Sequence, residues 1–187
     1  MRLFVALEIP DEIRRAIGEL IGHLRGVSRG ARWVRADGLH ITLKFIGEMR
    51  DDMIPELERV LRKIQLSSAI EARFHGVGFF PNERHPRVCW IGVEGSPNLA
   101  ELAAKVDEQT ANFGVEAERR AFSPHVTLAR FKSDDGLSRL REAVHSAEPL
   151  ELGAMTTREF QLVRSQLQRG GSVYTRVASF LFDRSMT

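Results

Sequence analysis

Apolar positions along the chain alternate between two periods. Leu3 to Leu7 is a short apolar run of strand formers ending at Glu8. Pro10-Asp11 then opens a predicted helix in which Ile13, Ile17, Leu20, Ile21 and Leu24 recur at helical spacing, and Gly26 ends it. Ala31 to Val34 reads as a short strand, Asp37-Gly38 as a turn, and Leu39 to Ile46 as a strand closed by Gly47. Asp51-Asp52 are placed to cap a second helix carrying Met53, Leu57, Val60, Leu61 and Ile64 on one face. Ile70 to Phe80 is strand-like, residues 81–86 form a loop, and Arg87 to Val93 is the next strand. Ser96 as N-cap and Pro97 at the first turn open a third helix through Leu99, Leu102, Val106 and Phe113. His125 to Phe131 is a strand, and Asp134-Asp135-Gly136 leads into a helix with Leu137, Leu140 and Val144. Two strands finish the pattern, Leu150 to Leu167 with a bend or bulge and Ser172 to Leu181. Gln168-Arg169-Gly170-Gly171 is the hairpin signal between them.

Within this pattern two strands are alike. His40-Ile41-Thr42-Leu43 and His125-Val126-Thr127-Leu128 each place polar residues at i and i+2 and apolar ones between. Side chains of a strand alternate faces, so His and Thr share one surface while the aliphatic residues face a core. The motifs stand 85 residues apart, and the same offset carries Leu3–Leu7 onto Val88–Gly92 and Asp11 onto Ser96. The register extends beyond the motifs and marks an internal repeat, with halves of about 1–85 and 86–187 forming one domain. The expected architecture is α+β: two pseudo-symmetric lobes, each an antiparallel-rich sheet with helices on its outer face, and the motifs meeting in one cleft between them.

Composition narrows the function. A 43% apolar chain of 187 residues supports a full core, and 27 Lys+Arg against 25 Asp+Glu is close to balance. That argues against a long non-specific nucleic-acid groove but not against grip on a terminal phosphate. The single Cys89, in the apolar run Val88-Cys89-Trp90-Ile91, permits no internal disulfide and reads as a small buried hydrophobe. No signal segment or membrane span fits before Glu8, and a reducing, cytoplasmic setting is expected.

Paired His-x-Thr strands suit phosphoryl chemistry. Opening a cyclic phosphodiester requires that water lose a proton as it attacks phosphorus and that the departing oxygen gain one. Two imidazoles on opposite sides of phosphorus can do both near neutral pH, in line, with coupled titrations. Thr42 and Thr127 can donate hydroxyls to the non-bridging oxygens. Ring strain makes a metal or other cofactor unnecessary, and two histidines without nearby Asp, Glu or Cys leave zinc short of ligands. Ser123 has no acid to orient a base beside it, so a cap at the strand entry is the simpler reading than a nucleophile.

The sequence resembles the 2H phosphoesterase superfamily, and within it the bacterial and archaeal RNA 2',3'-cyclic phosphodiesterases of the 2'-5' RNA ligase family. The carriers are residues 1–6, His40 to Glu48, Gly78-Phe79-Phe80-Pro81, Pro86 to Val93, Ser123 to Arg130, Ser165-Gln166-Leu167, Gly170-Gly171 and Tyr174. The resemblance implies hydrolysis of an RNA 2',3'-cyclic phosphate to a 2'-phosphate, with His40 as proton donor and His125 activating water. It implies Thr42 and Thr127 as phosphate ligands and a possible reverse joining of RNA ends through a 2'-5' bond. The partner is then an RNA or nucleotide ending in a 2',3'-cyclic phosphate; no membrane, no obligate protein partner and a monomeric state are expected.

Several further residues are weaker substrate-binding candidates. Arg130 follows the second motif, although strict alternation places it on the face opposite His125. Lys44 shares alternation with His40 and Thr42 and would enrich the cleft in positive charge. Phe79 or Phe80 could stack on a base, as could Tyr174 or Trp33, and core packing is an equal alternative for each. His23, His85 and His145 read as structural or solvent-facing, and His75 is undecided. The competing functions are a relative acting on a small nucleotide, such as a cyclic phosphate of ADP-ribose, and a nucleotide-binding module without catalysis.

Overall fold

The computed structural model describes residues 1–169 and 171–182; Gly170 of the hairpin signal lies outside the described residues. The strands are β1 (Arg2–Glu8), β2 (Ala31–Trp33), β3 (His40–Glu48), β4 (Ile70–Phe80), β5 (Val88–Gly95), β6 (His125–Phe131), β7 (Glu151–Thr157), β8 (Glu159–Gln168) and β9 (Gly171–Leu181). The helices are α1 (Asp11–Arg25), α2 (Ile54–Leu61), α3 (Pro97–Ala111) and α4 (Leu137–Ala147). Among the described residues no helix is long and apolar enough to cross a membrane.

All strand pairings are antiparallel, in the order β7-β4-β5-β6-β3-β1-β8-β9, with the short β2 added beside β6. The sheet curls into two arms of the expected α+β kind, β3-β1-β8-β9 and β6-β5-β4-β7, joined among the described residues by the registered pair Ile41↔Val126. The arms are not the two halves of the sequence. β4 lies between β5 and β7 and the short β2 beside β6, while β8 and β9 extend the sheet beyond β1, so the first half lends β4 and β2 to one arm and the second half lends β8 and β9 to the other. The break expected inside Leu150–Leu167 is the hand-over point: β7 ends at Thr157 on one edge, and β8 starts at Glu159 in the opposite arm.

Four amphipathic helices bury one face each, through Ile13, Ile17, Ile21 and Leu24 on α1, Ile54, Leu57 and Leu61 on α2, Leu99, Leu102 and Val106 on α3, and Leu137, Leu140 and Val144 on α4. They join the core-facing side of both arms, the side away from the motif histidines, in one continuous core, with α3 packed on β3, β4 and β5. Two helix starts differ from expectation. Asp51-Asp52 form a 3-10 turn without a side-chain cap, and Asp52 is held by Arg50 instead. Ser96 accepts the Glu71 N–H at 3.0 Å and donates to Asn98, so its hydroxyl ties α3 to β4 rather than capping the helix.

A paired irregularity in the central strands decides what the cleft contains. Between β1 and β3, Val5 faces Lys44 and Ala6 faces Thr42, leaving Leu43 as an extra residue. Between β5 and β6, Cys89 faces Ala129 and Trp90 faces Thr127, leaving Leu128 extra. One extra residue reverses the facing of everything after it. Lys44 and Ala129 therefore turn toward the core, and Phe45 and Arg130 turn outward.

Candidate active site

The Ile41↔Val126 pair fixes the centre of the site. Antiparallel register then sets His40 opposite Thr127 and Thr42 opposite His125, all on the face away from the core. The four side chains form a square with the imidazoles on one diagonal and the hydroxyls on the other. Each hydroxyl is thus a neighbour of the other motif's histidine. His40, Thr42, Thr127 and Arg130 line one cleft of about 510 Å³, whose walls continue along β3, β8 and β9 to Phe45, Leu167 and Tyr174. His125 stands beside this cleft, half-buried and within electrostatic reach of His40.

The two imidazoles are anchored alike. His40 Nδ1 donates to the Gly38 carbonyl at 2.8 Å, and His125 Nδ1 donates to the Ser123 carbonyl at 2.8 Å. A carbonyl only accepts, so each Nδ1 carries the hydrogen and each Nε2 remains for chemistry. Ser123 meets His125 through this backbone carbonyl. Aromatic edges complete each seat. Tyr174 meets His40 at 5.1 Å and 84°, and Phe80 meets His125 at 5.1 Å and 82°. Phe4 lies 4.6 Å from the His40 ring. Desolvation among these rings pushes His40 down from 6.5 to about 4; the Gly38 carbonyl opposes the fall, and the charges of His125 and Arg130 add to it.

The structure separates the weaker candidates. Arg130 lies in the cleft because of the Leu128 bulge, and Tyr174 lies there against His40. Lys44 does not. It is 6% exposed on the far side of β3, bonded to the Asp107 carboxylate and, at 2.6 Å, to the Glu116 carbonyl. The Leu43 bulge is the physical reason, since alternation alone would have left Lys44 beside Thr42. The Lys44 hydrogen bond holds the Asp107 carboxyl below its ordinary range, opposed by desolvation and helped by the Glu118 N–H. Phe79 is buried and packs on Phe131, so it is a core residue; its neighbour Phe80 is the one at the site.

Phe45 was not singled out by sequence reasoning, and it is 59% exposed in the cleft wall. Its signal was the repeat itself: the 85-residue offset pairs Phe45 with Arg130. Trp33 is half-buried on β2 against the core. His23, His85 and His145 are exposed, as expected, with His145 near Glu83. His75 faces Gly92, which faces His125, so it shares the His125 row two strands away. Cys89 is buried, and desolvation raises its thiol to about 12, leaving it protonated at neutral pH.

Residues 9–169 match the family model of the 2'-5' RNA ligase superfamily. The chain is 38% identical to the RNA 2',3'-cyclic phosphodiesterase of Thermus thermophilus, over 96% of this chain and 89% of that one. It superposes on the crystal structure of TT0787, also of Thermus thermophilus, with a TM-score of 0.80 and 30% identity, covering 97% and 98% of the two chains. E. coli LigT complexed with 3'-AMP gives a TM-score of 0.78 at 27% identity, covering 97% of each chain.

Proposed function

The chain belongs to the 2'-5' RNA ligase superfamily, and from that premise we propose that it hydrolyses RNA 2',3'-cyclic phosphate ends to 2'-phosphomonoesters by paired-histidine catalysis, without a metal. The observation that carries the reading is the crossed square of His40, Thr127, Thr42 and His125. Relatives named RNA 2',3'-cyclic phosphodiesterase, matched over most of their length, support the phosphodiesterase activity and the RNA substrate.

The cyclic phosphate sits over the square. Thr42, Thr127 and Arg130 hold the non-bridging oxygens, which gather charge as phosphorus becomes five-coordinate. His125 Nε2 takes a proton from water as its oxygen bonds to phosphorus. The P–O3' bond breaks, and His40 Nε2 delivers a proton to O3', leaving a 2'-phosphate and a 3'-hydroxyl. Solvent returns the proton from His125 to His40. His40 is neutral in the free protein at pH 7 because of its low pKa. The anionic substrate stabilises the imidazolium, so His40 acquires its proton along with the phosphate. The exposed ring of Phe45, in the same cleft, gives the terminal base a stacking surface. A 5'-hydroxyl taking the place of water would join two RNA ends through a 2'-5' bond.

The test is product analysis. An oligonucleotide ending in a 2',3'-cyclic phosphate, incubated with the protein and excess chelator, is expected to yield a terminal 2'-phosphate. A 3'-phosphate would reverse the leaving-group assignment, and loss of turnover with chelator would overturn the metal-free mechanism.

A further inference from the structure

A second cavity, of about 210 Å³, adjoins the catalytic cleft. The two share Phe4, Gly38, His40 and Tyr174, so the seat of His40 is the partition between them. We propose that this cavity binds the base of the penultimate nucleotide, the one 5' to the nucleotide that carries the cyclic phosphate, making it a second nucleotide subsite; the inference rests on the cyclic phosphodiesterase reading above.

The chemistry of the walls selects a neutral, hydrogen-bonding, flat group. Glu8 and Asp37 present carboxylates there, Asp37 already paired with Arg35 at 2.8 Å. The cations of the wall are already engaged: Arg176 is bonded to Glu8, and Arg14 lies 3.5 Å from Glu8 and donates to the Ile9 carbonyl at 2.8 Å. A phosphate entering would meet two carboxylates and no uncommitted guanidinium. A base instead offers amino and imino hydrogens to the carboxylate lone pairs that these ion pairs leave open, and a ring face to Val163. At the floor, Gln161 is 3% exposed and its Oε1 accepts the Glu8 N–H at 3.1 Å, which fixes the surface a base would meet. Placement agrees with the mechanism. The ribose carrying O3' must lie toward His40, so the strand leaving its 5' side passes the His40–Tyr174 partition.

The discriminating quantity is the ratio of kcat/KM for a dinucleotide ending in a 2',3'-cyclic phosphate to that for the matching mononucleotide. Taking this ratio cancels losses of folding or of catalysis common to both substrates. The unaltered protein is expected to favour the dinucleotide at least about fivefold, the low end of what one stacked base contributes. Val163→Phe, which fills the cavity, and Asp37→Ala, which removes an acceptor, are each expected to bring the ratio to about one. A ratio near one in the unaltered protein, or a preference that survives both substitutions, overturns the subsite while leaving cyclic phosphodiesterase activity standing. Absence of turnover on both substrates in the unaltered protein defeats the underlying reading, and the subsite with it.

Discussion

Replacing His40 with Asn should flatten part of the dependence of stability on pH. The unfolded chain takes up a proton on this imidazole near 6.5, whereas the folded protein resists until about 4. As pH falls between those values the unfolded state gains protons that the native state refuses, so native stability declines. Worked from the two pKa values, this residue costs about 2 kcal/mol between pH 7 and pH 5, and up to about 3 kcal/mol once both states are protonated. Asn keeps a side-chain amide beside the Gly38 carbonyl and cannot titrate. Urea unfolding at pH 7 and pH 5 for both proteins gives the comparison, because the other histidines contribute equally and cancel. The unaltered protein should lose about 2 kcal/mol more than His40→Asn over that interval. Equal losses would refute the burial argument, as would an NMR titration placing His40 near 6.5. Saturating the site with inorganic phosphate should raise the His40 midpoint and be accompanied by proton uptake.

Other substitutions test individual contacts. Thr42→Val and Thr127→Val should each lower kcat/KM by about tenfold or more by removing one hydroxyl donor, measured by steady-state hydrolysis of a cyclic-phosphate oligonucleotide. Phe45→Ala should raise KM by about tenfold for a cyclic nucleotide; an unchanged KM would remove Phe45 from the substrate path. Lys44→Met should reduce unfolding free energy by about 1–3 kcal/mol, since Asp107 and the Glu116 carbonyl lose their partner. Its KM should stay near that of the unaltered protein, and a raised KM with unchanged stability would return Lys44 to the cleft.

The composition of the candidate site was legible because two tetrapeptides repeated it at a fixed offset, and alternation sufficed to put His and Thr on one surface. Alternation failed one residue later. A bulge at Leu43 and another at Leu128 reversed the facing of the strand, moving Lys44 into the core and Phe45 and Arg130 into the cleft. The second copy carries a hint, since Leu128-Ala129 is a double apolar step inside an alternating strand. Lys44 disguises the same step in the first copy, because its long side chain is buried through a specific partnership with Asp107, 63 residues away. Helix positions followed from the apolar period, but the crossing of β4 into one arm and of β8 and β9 into the other did not. It depends on long-range pairing that no local pattern encodes. Phe79 and Phe80 illustrate the same limit, because adjacent aromatics on a strand divide between core and cleft only once register is known.

The most direct test of two histidines serving one phosphorus is the turnover of a 2',3'-cyclic-phosphate oligonucleotide by His40→Asn, His125→Asn and the double variant. All three are compared at equal folded concentration. Each single change is expected to reduce kcat/KM by about 10²–10⁴-fold, with the double variant falling well short of the product of the two losses. Full turnover by either single variant would show that one imidazole is sufficient and would contradict the paired mechanism.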